Sequence, residues 1–206
     1  MLWRSTSVRC AATPEALLVI DVQRDFCPGG SLAVQKGSQI VPVLNRILTL
    51  ADAHRARDYF SRDWHPSDST HFVTGGGRWP VHCVAGSEGA KFHGDLLVPG
   101  DAVLVSKGCS INSDGYSAFD GHLDSGVTLA DDLRERIVGH LAVGGLATDY
   151  CVKHTVLDAL QAGWNVTLLS DAIASVELSP GDAKRALNEM QAAGAALICS
   201  DELQFK

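Results

Sequence analysis

The chain has 206 residues, a formal charge of −7 and six widely spaced cysteines. That length suits one domain with a sizeable core and is short for two, and the acidic balance argues against a nucleic-acid backbone as the main partner. No apolar run reaches the length of a membrane span, since Ala16–Ile20 runs straight into Asp21, and scattered cysteines in a domain of this size point to reduced thiols in a cytoplasmic setting rather than to a disulfide framework.

In chain order, residues 1–13 read as a tail that lacks the apolar stretch of a secretion signal, and residues 14–206 as a single domain. Ala16–Val22 is a strand pattern. Gln39–Arg55 carries Ile40, Val43, Leu44, Ile47, Leu48 and Ala51 at helical spacing, with Ser38 as the expected cap and Pro42 in the first turn. Arg57–Ser61 and the Val-rich Ala102–Lys107 read as further strands, Thr128–Arg136 as a short helix and Ile137–Val143 as a buried strand. A helix over Thr148–Ala162, a strand over Trp164–Leu169, a helix from Ser179-Pro180 through Ala193 and a strand over Ala196–Cys199 complete the pattern. Continuous apolar strands alternating with helices predict a three-layer α/β/α fold, doubly wound around a mostly parallel six-stranded sheet. Two long irregular stretches, Arg24–Ser38 and Arg62–Pro99, stand out, and loops of that length in a compact domain usually carry function.

In open α/β sheets ligands bind beyond the carboxyl ends of the strands. Asp21, Lys107 and Cys151 all fall at such ends. Cys151 is expected in the first turn of a helix capped by Thr148 or Asp149, where unpaired N–H groups and the helix dipole favour a thiolate. A nucleophilic thiol needs a base and a positive neighbour, roles that Asp21 and Lys107 can fill. The same three residues also fit a buried ion pair beside a small core cysteine. His154, one helical turn from Cys151, is a rival base. Asp63, His65, His71 and His82 lie within one irregular segment and offer the carboxylate and imidazole donors that a divalent metal takes; the competing reading is a solvated, His-rich loop. Phe26, Trp79, Tyr116 and Phe119 could wall a flat pocket or simply pack in the core. His54, His93, His122 and His140 have no sequence partners and read as structural or surface residues, and Gly75-Gly76-Gly77 as a turn.

Four segments in order carry a resemblance. Leu18-Val19-Ile20-Asp21-Val22-Gln23-Arg24-Asp25-Phe26-Cys27-Pro28-Gly29-Gly30 resembles the opening motif of the nicotinamidase/pyrazinamidase family, within the isochorismatase-like cysteine hydrolase superfamily. Ser61-Arg62-Asp63-Trp64-His65-Pro66, Trp79-Pro80-Val81-His82-Cys83-Val84 and Gly145-Leu146-Ala147-Thr148-Asp149-Tyr150-Cys151-Val152 are similar to its later motifs, and the likeness runs from Leu17 to the C-terminus. The metal motif is the discriminating one, because isochorismatases and carbamoyl-amide hydrolases of the superfamily generally lack it.

The resemblance implies an amidase that hydrolyses nicotinamide, or its analogue pyrazinamide, through a cysteine thioester in NAD salvage. It implies a catalytic triad of Asp21, Lys107 and Cys151. It implies one divalent metal, with zinc ahead of iron or manganese, on Asp63, His65, His71 and His82. A non-proline cis peptide is expected at Leu146–Ala147, with an oxyanion hole from the Ala147 and Cys151 N–H groups. Phe26, Trp79, Tyr116 and Leu146 are the expected pocket residues. The partner is a small molecule, with neither nucleic acid nor membrane, and a homo-oligomer is compatible with the sequence. Arg24 stands where Asn is common, Val81 where Pro is common, and Lys107-Gly108-Cys109-Ser110 departs from the usual Lys-Gly-Thr, so substrate breadth is the open point; a related hydrolase acting on another small amide is the alternative.

Overall fold

The computed structural model describes residues 13–205; residues 1–12, which make up nearly all of the expected tail and include Cys10, lie outside it, as does residue 206. Seven strands form one sheet: β1 (Ala16–Ile20), β2 (Arg57–Asp63), β3 (Val103–Lys107), β4 (His122–Leu123), β5 (His140–Leu146), β6 (Asn165–Ala174) and β7 (Ala196–Ile198). Their order is β4-β3-β2-β1-β5-β6-β7, and every pairing is parallel except β3 with β4. The six parallel strands are the six expected. The seventh, β4, is two residues long and antiparallel on the edge, too short for a periodicity signal.

The helices are α1 (Val41–Ala53), α2 (Leu129–Glu135), α3 (Lys153–Gln161) and α4 (Asp182–Ala193). The pleat sends alternate residues of β1 to opposite faces. Leu17 and Val19 pack with Leu44, Ile47 and Leu48 of α1, while Leu18 and Ile20 pack with Leu133 of α2, Val156 of α3 and Met190 of α4. A central strand covered on both faces has to be apolar throughout, which is why Ala16-Leu17-Leu18-Val19-Ile20 shows no alternation.

Ser38 does not cap α1. A 3-10 turn over Gly37–Ile40 precedes the helix, and the Ser38 hydroxyl is instead hydrogen-bonded to His93 Nε2 at 3.1 Å; Pro42 does lie in the first turn. β5 begins three residues later than the pattern suggests, after a turn in which Ile137 adopts φ +58°. The stretch expected to be irregular after β2 is so, apart from a short 3-10 turn at Val73–Gly75. Bridges between His65 and Val84 and between Phe72 and Trp79 pin it.

β1 leads outward to β2 and β3 on one side, and the chain returns to place β5 on the other side of β1. The carboxyl edge at that reversal is where this architecture binds ligands.

Candidate active site

Asp21 directly follows β1, Asp63 ends β2, Lys107 ends β3, and Cys151 follows β5. Register brings two of them together: Asp63 and Lys107 are paired residues on neighbouring parallel strands. The fully buried Lys107 ammonium donates to Asp63 Oδ1, to the Gly115 carbonyl at 2.6 Å and to Cys151 Sγ at 3.5 Å, and lies 2.7 Å from Asp21 Oδ2. Asp21 Oδ1 also accepts from Ser61 Oγ at 2.7 Å. Carboxylate oxygens of Asp21 and Asp63 and the Cys151 sulfur all fall within 4.8 Å of one another, around the ammonium.

Charge states follow from this packing. Burial pushes Asp21 up, Lys107 pulls it down and Asp63 pushes it up again, leaving its pKa at about 6. Burial also acts on Asp63, but there the Lys107 ammonium prevails and holds the carboxyl well below the usual range. Burial disfavours the Lys107 cation, yet Asp21 and Asp63 outweigh it and raise its pKa well above the ordinary lysine value. Cys151 goes the other way from the sequence expectation. Burial, with Asp21 and Asp63 adding to it against the pull of Lys107, raises the thiol well above its usual value. Cys151 sits in a π-helical turn, Thr148–Val152, that runs directly into α3, and neither Thr148 nor Asp149 caps it. The Asp149 carboxylate turns away to accept from the N–H groups of Val176 and Glu177, at 3.0 and 2.7 Å.

The three histidines converge. His65 Nδ1–H donates to the Gly108 carbonyl at 3.1 Å, His82 Nδ1–H to the Pro80 carbonyl at 2.7 Å and His71 Nδ1–H to Asp114 Oδ1 at 2.9 Å. Each ring therefore has its Nε2 lone pair free. The rings lie 5.0 to 5.5 Å apart, centroid to centroid. Asp63 Oδ2 is 3.5 Å from His65 Nε2 and 3.8 Å from His82 Nε2. His65 Nε2 is buried and makes no hydrogen bond. An orphaned nitrogen facing a carboxylate and two more imidazoles is what a site for a divalent cation requires. Burial lowers His71, and lowers His82 to about 4, so both rings are neutral and able to ligate at neutral pH.

A small, mostly apolar cavity joins the two groups; it is lined by Phe26, Leu32, Trp79, Tyr116, Ala147, Tyr150 and Val176 and also by Asp63, His71, His82 and Cys151. Phe26 packs on His82 at 5.4 Å, and Trp79 Nε1–H donates to the Tyr116 hydroxyl at 2.8 Å. The Leu146–Ala147 peptide is cis, as the resemblance implies. Leu146 itself corrects the expected pocket. It is fully buried and points into the α1-side core rather than into the cavity. Phe119 packs on Trp164 instead of the cavity wall, and His154 is an exposed residue stacked on Tyr116 at 5.1 Å.

Sequence reasoning overlooked Leu32, Tyr150 and Val176 as walls. It overlooked Gln23, whose side-chain amide donates to the Asp63 carbonyl and accepts from the Asp63 N–H, both at 2.8 Å. It also overlooked Asp25, which accepts from the Cys83 N–H next to His82. Gln23 and Asp25 lie inside the opening motif, which was the available signal; nothing in the sequence marks Val176.

The Isochorismatase domain model matches residues 15–202. The chain is 41% identical over 200 residues to a nicotinamidase of Escherichia coli (strain K12), across 89% of this chain and 94% of that one. Its fold superposes on a pyrazinamidase of Pyrococcus horikoshii in complex with zinc with a TM-score of 0.83, at 41% identity, across 90% of this chain and 99% of that one. PnC1 from L. infantum in complex with nicotinate gives a TM-score of 0.81 at 33% identity, across 96% and 100%. With the sheet order, the strand-end cysteine and the family model all in agreement over nearly the whole described chain, the protein belongs to the isochorismatase-domain family.

Proposed function

We propose that the protein is a metal-dependent nicotinamidase, which hydrolyses nicotinamide to nicotinate and ammonia through a thioester on Cys151. The observation that carries this reading is the shared cavity: the Cys151 thiol opens onto the same small aromatic-walled space as His71, His82 and Asp63, with the fully buried His65 completing the convergent set of three imidazoles and one carboxylate behind them. The nicotinamidase and pyrazinamidase relatives support the choice of substrate.

Asp63 and Nε2 of His65, His71 and His82 would hold one divalent ion, with zinc favoured by the zinc-bound relative. When bound, the ion supplies an electrophilic anchor for a ring nitrogen. Phe26 and Trp79 flank a flat ring and exclude water. Asp21, with a pKa of about 6, is ionised at neutral pH and takes the Cys151 proton as the sulfur attacks the amide carbon. Lys107, 3.5 Å from the sulfur, balances the charge that forms there. The Ala147 and Cys151 N–H groups receive the developing oxyanion, an effect of about 3–4 kcal/mol per donor. Protonated Asp21 returns its proton to departing ammonia. It then accepts one from the water that cleaves the thioester, so one carboxyl serves both halves of the reaction.

We place this activity in a single domain in the cytoplasm. All five cysteines among the described residues are free thiols, and no helix among those residues is long and apolar enough to cross a membrane.

The test is ammonia release from nicotinamide by metal-replete protein. Turnover is expected for the native chain and none for Cys151→Ala, which should still bind metal. No ammonia from nicotinamide overturns the substrate assignment, and an active Cys151→Ala overturns the nucleophile.

A further inference from the structure

Residues 108–117 follow β3 and touch His65, His71 and Lys107. The Gly108 carbonyl holds His65 Nδ1, and the Gly115 carbonyl accepts from Lys107 Nζ. The Ile111 carbonyl accepts from the N–H and the hydroxyl of Thr70, each at 2.9 Å, just ahead of His71. The segment reaches in this closely only because of its glycines. Gly108 and Gly115 have φ of +67° and +61°, and a β-carbon on Gly108 would overlap the His65 ring.

Asp114 stands on this segment immediately before Gly115. Its side chain is 70% exposed, yet one oxygen lies 2.9 Å from Nδ1 of His71, whose side chain is only 4% exposed. The other two histidines donate Nδ1–H to backbone carbonyls, which no substitution of the accepting residue removes. His71 alone depends on a side chain.

Resting on the metal-centre reading above, we infer that Asp114 is a positioning residue for the metal. Its carboxylate holds the His71 ring with Nε2 turned to the centre and makes that nitrogen a stronger donor to a cation. A carboxylate behind a ligating imidazole fixes tautomer and orientation together, and loss of such a partner weakens metal binding by about 10–100-fold. The competing role is mechanical, in which the same contact merely fastens an exposed segment. The two roles differ in what happens without metal.

The experiment uses the full chain, stripped of metal and titrated with Zn²⁺ against a chromophoric chelator at fixed pH and salt. The native protein, Asp114→Asn, Asp114→Ala and His82→Ala are compared, and thermal unfolding is followed with and without Zn²⁺. Asp114→Ala should bind Zn²⁺ about 10–100-fold more weakly than the native chain. Asp114→Asn keeps an acceptor oxygen without the charge and should fall between them. The metal-free melting temperatures should coincide, with the stabilisation by Zn²⁺ reduced in the order native, Asn, Ala. The Co²⁺ form of Asp114→Ala should show an altered visible spectrum, as a disturbed ligand field would. If Asp114→Ala binds Zn²⁺ within about twofold of the native chain, or lowers the metal-free melting temperature as much as the loaded one, the positioning role falls and the metal centre stands. If the native protein binds no stoichiometric Zn²⁺, or His82→Ala binds it equally well, the metal centre falls and this role with it.

Discussion

Replacing Asp21 by Asn separates two effects that the site assigns to one carboxylate. Asp21 is fully buried, and one of its oxygens, one of Asp63 and the Cys151 sulfur lie within 4.8 Å of one another. Two unit negative charges at that separation repel by about 3.5 kcal/mol at an effective dielectric near 20. Lys107 offsets part of this, yet the resting thiol remains raised by burial and by both carboxylates. Asp21→Asn removes one of those charges, so the thiol becomes more acidic while the proton acceptor used in turnover is lost. Alkylation of Cys151 by iodoacetamide at pH 7 should be faster than in the native enzyme. Amide hydrolysis should be slower by about 10²–10⁴, the usual contribution of a general base. Both are measured on metal-loaded protein, with alkylation read at the Cys151 peptide by mass spectrometry because Cys109 is exposed and would also react. Hydrolysis within about tenfold of native would refute the base assignment. Slower alkylation would refute the idea that Asp21 burdens the thiolate. His154→Ala should leave hydrolysis nearly unchanged, since that ring lies outside, on Tyr116.

Two further predictions concern the opposite end of the sheet. Asp58 in β2 is 8% exposed and has one buried oxygen without a hydrogen bond; burial, then Asp101 and Asp52, raise its pKa to about 6. The folded state holds the proton more tightly than the unfolded chain, whose Asp has a pKa near 3.9, so this group costs stability as pH rises from about 4 through about 6. Asp58→Asn should therefore stabilise the protein by at most about 3 kcal/mol at pH 8 and by no more than about 1 kcal/mol at pH 4.5; equal effects at both pH values in urea unfolding would contradict the assignment. Ile137 is 86% exposed and holds a left-handed backbone, which costs a β-branched residue about 1–2 kcal/mol. Ile137→Gly should raise the melting temperature by about 2–4 °C without altering turnover, and a lower one would show that the side chain packs.

The fold was legible because a doubly wound sheet writes itself into the chain as buried apolar runs. The six parallel strands and four α-helices match the pattern, with differences at ends where capping changed. The Ser38 hydroxyl is taken by His93 and the Asp149 carboxylate by the loop at Val176, so neither was free to start a helix. Those competing partners lie 55 and 27 residues away, beyond any local window. The two-residue β4 has no period to detect.

The site was legible to a different depth. The residues proposed to do chemistry carry their own signal, in the type and spacing of Asp21, Asp63, His65, His71, His82, Lys107 and Cys151. Their charge states do not. A cysteine after a strand looks like a ready thiolate until register sets Asp63 opposite Lys107 and draws the ammonium between two carboxylates. The lysine is then shared, and burial with the two carboxylates raises the thiol, so in the proposed reaction the sulfur keeps its proton until a base removes it. The proposed mechanism therefore puts the burden of activation on Asp21 at the moment of attack rather than on a standing thiolate. The outer partners were illegible for the same reason as the caps: Asp114 meets His71 across 43 residues, and only the closed fold reveals the pair.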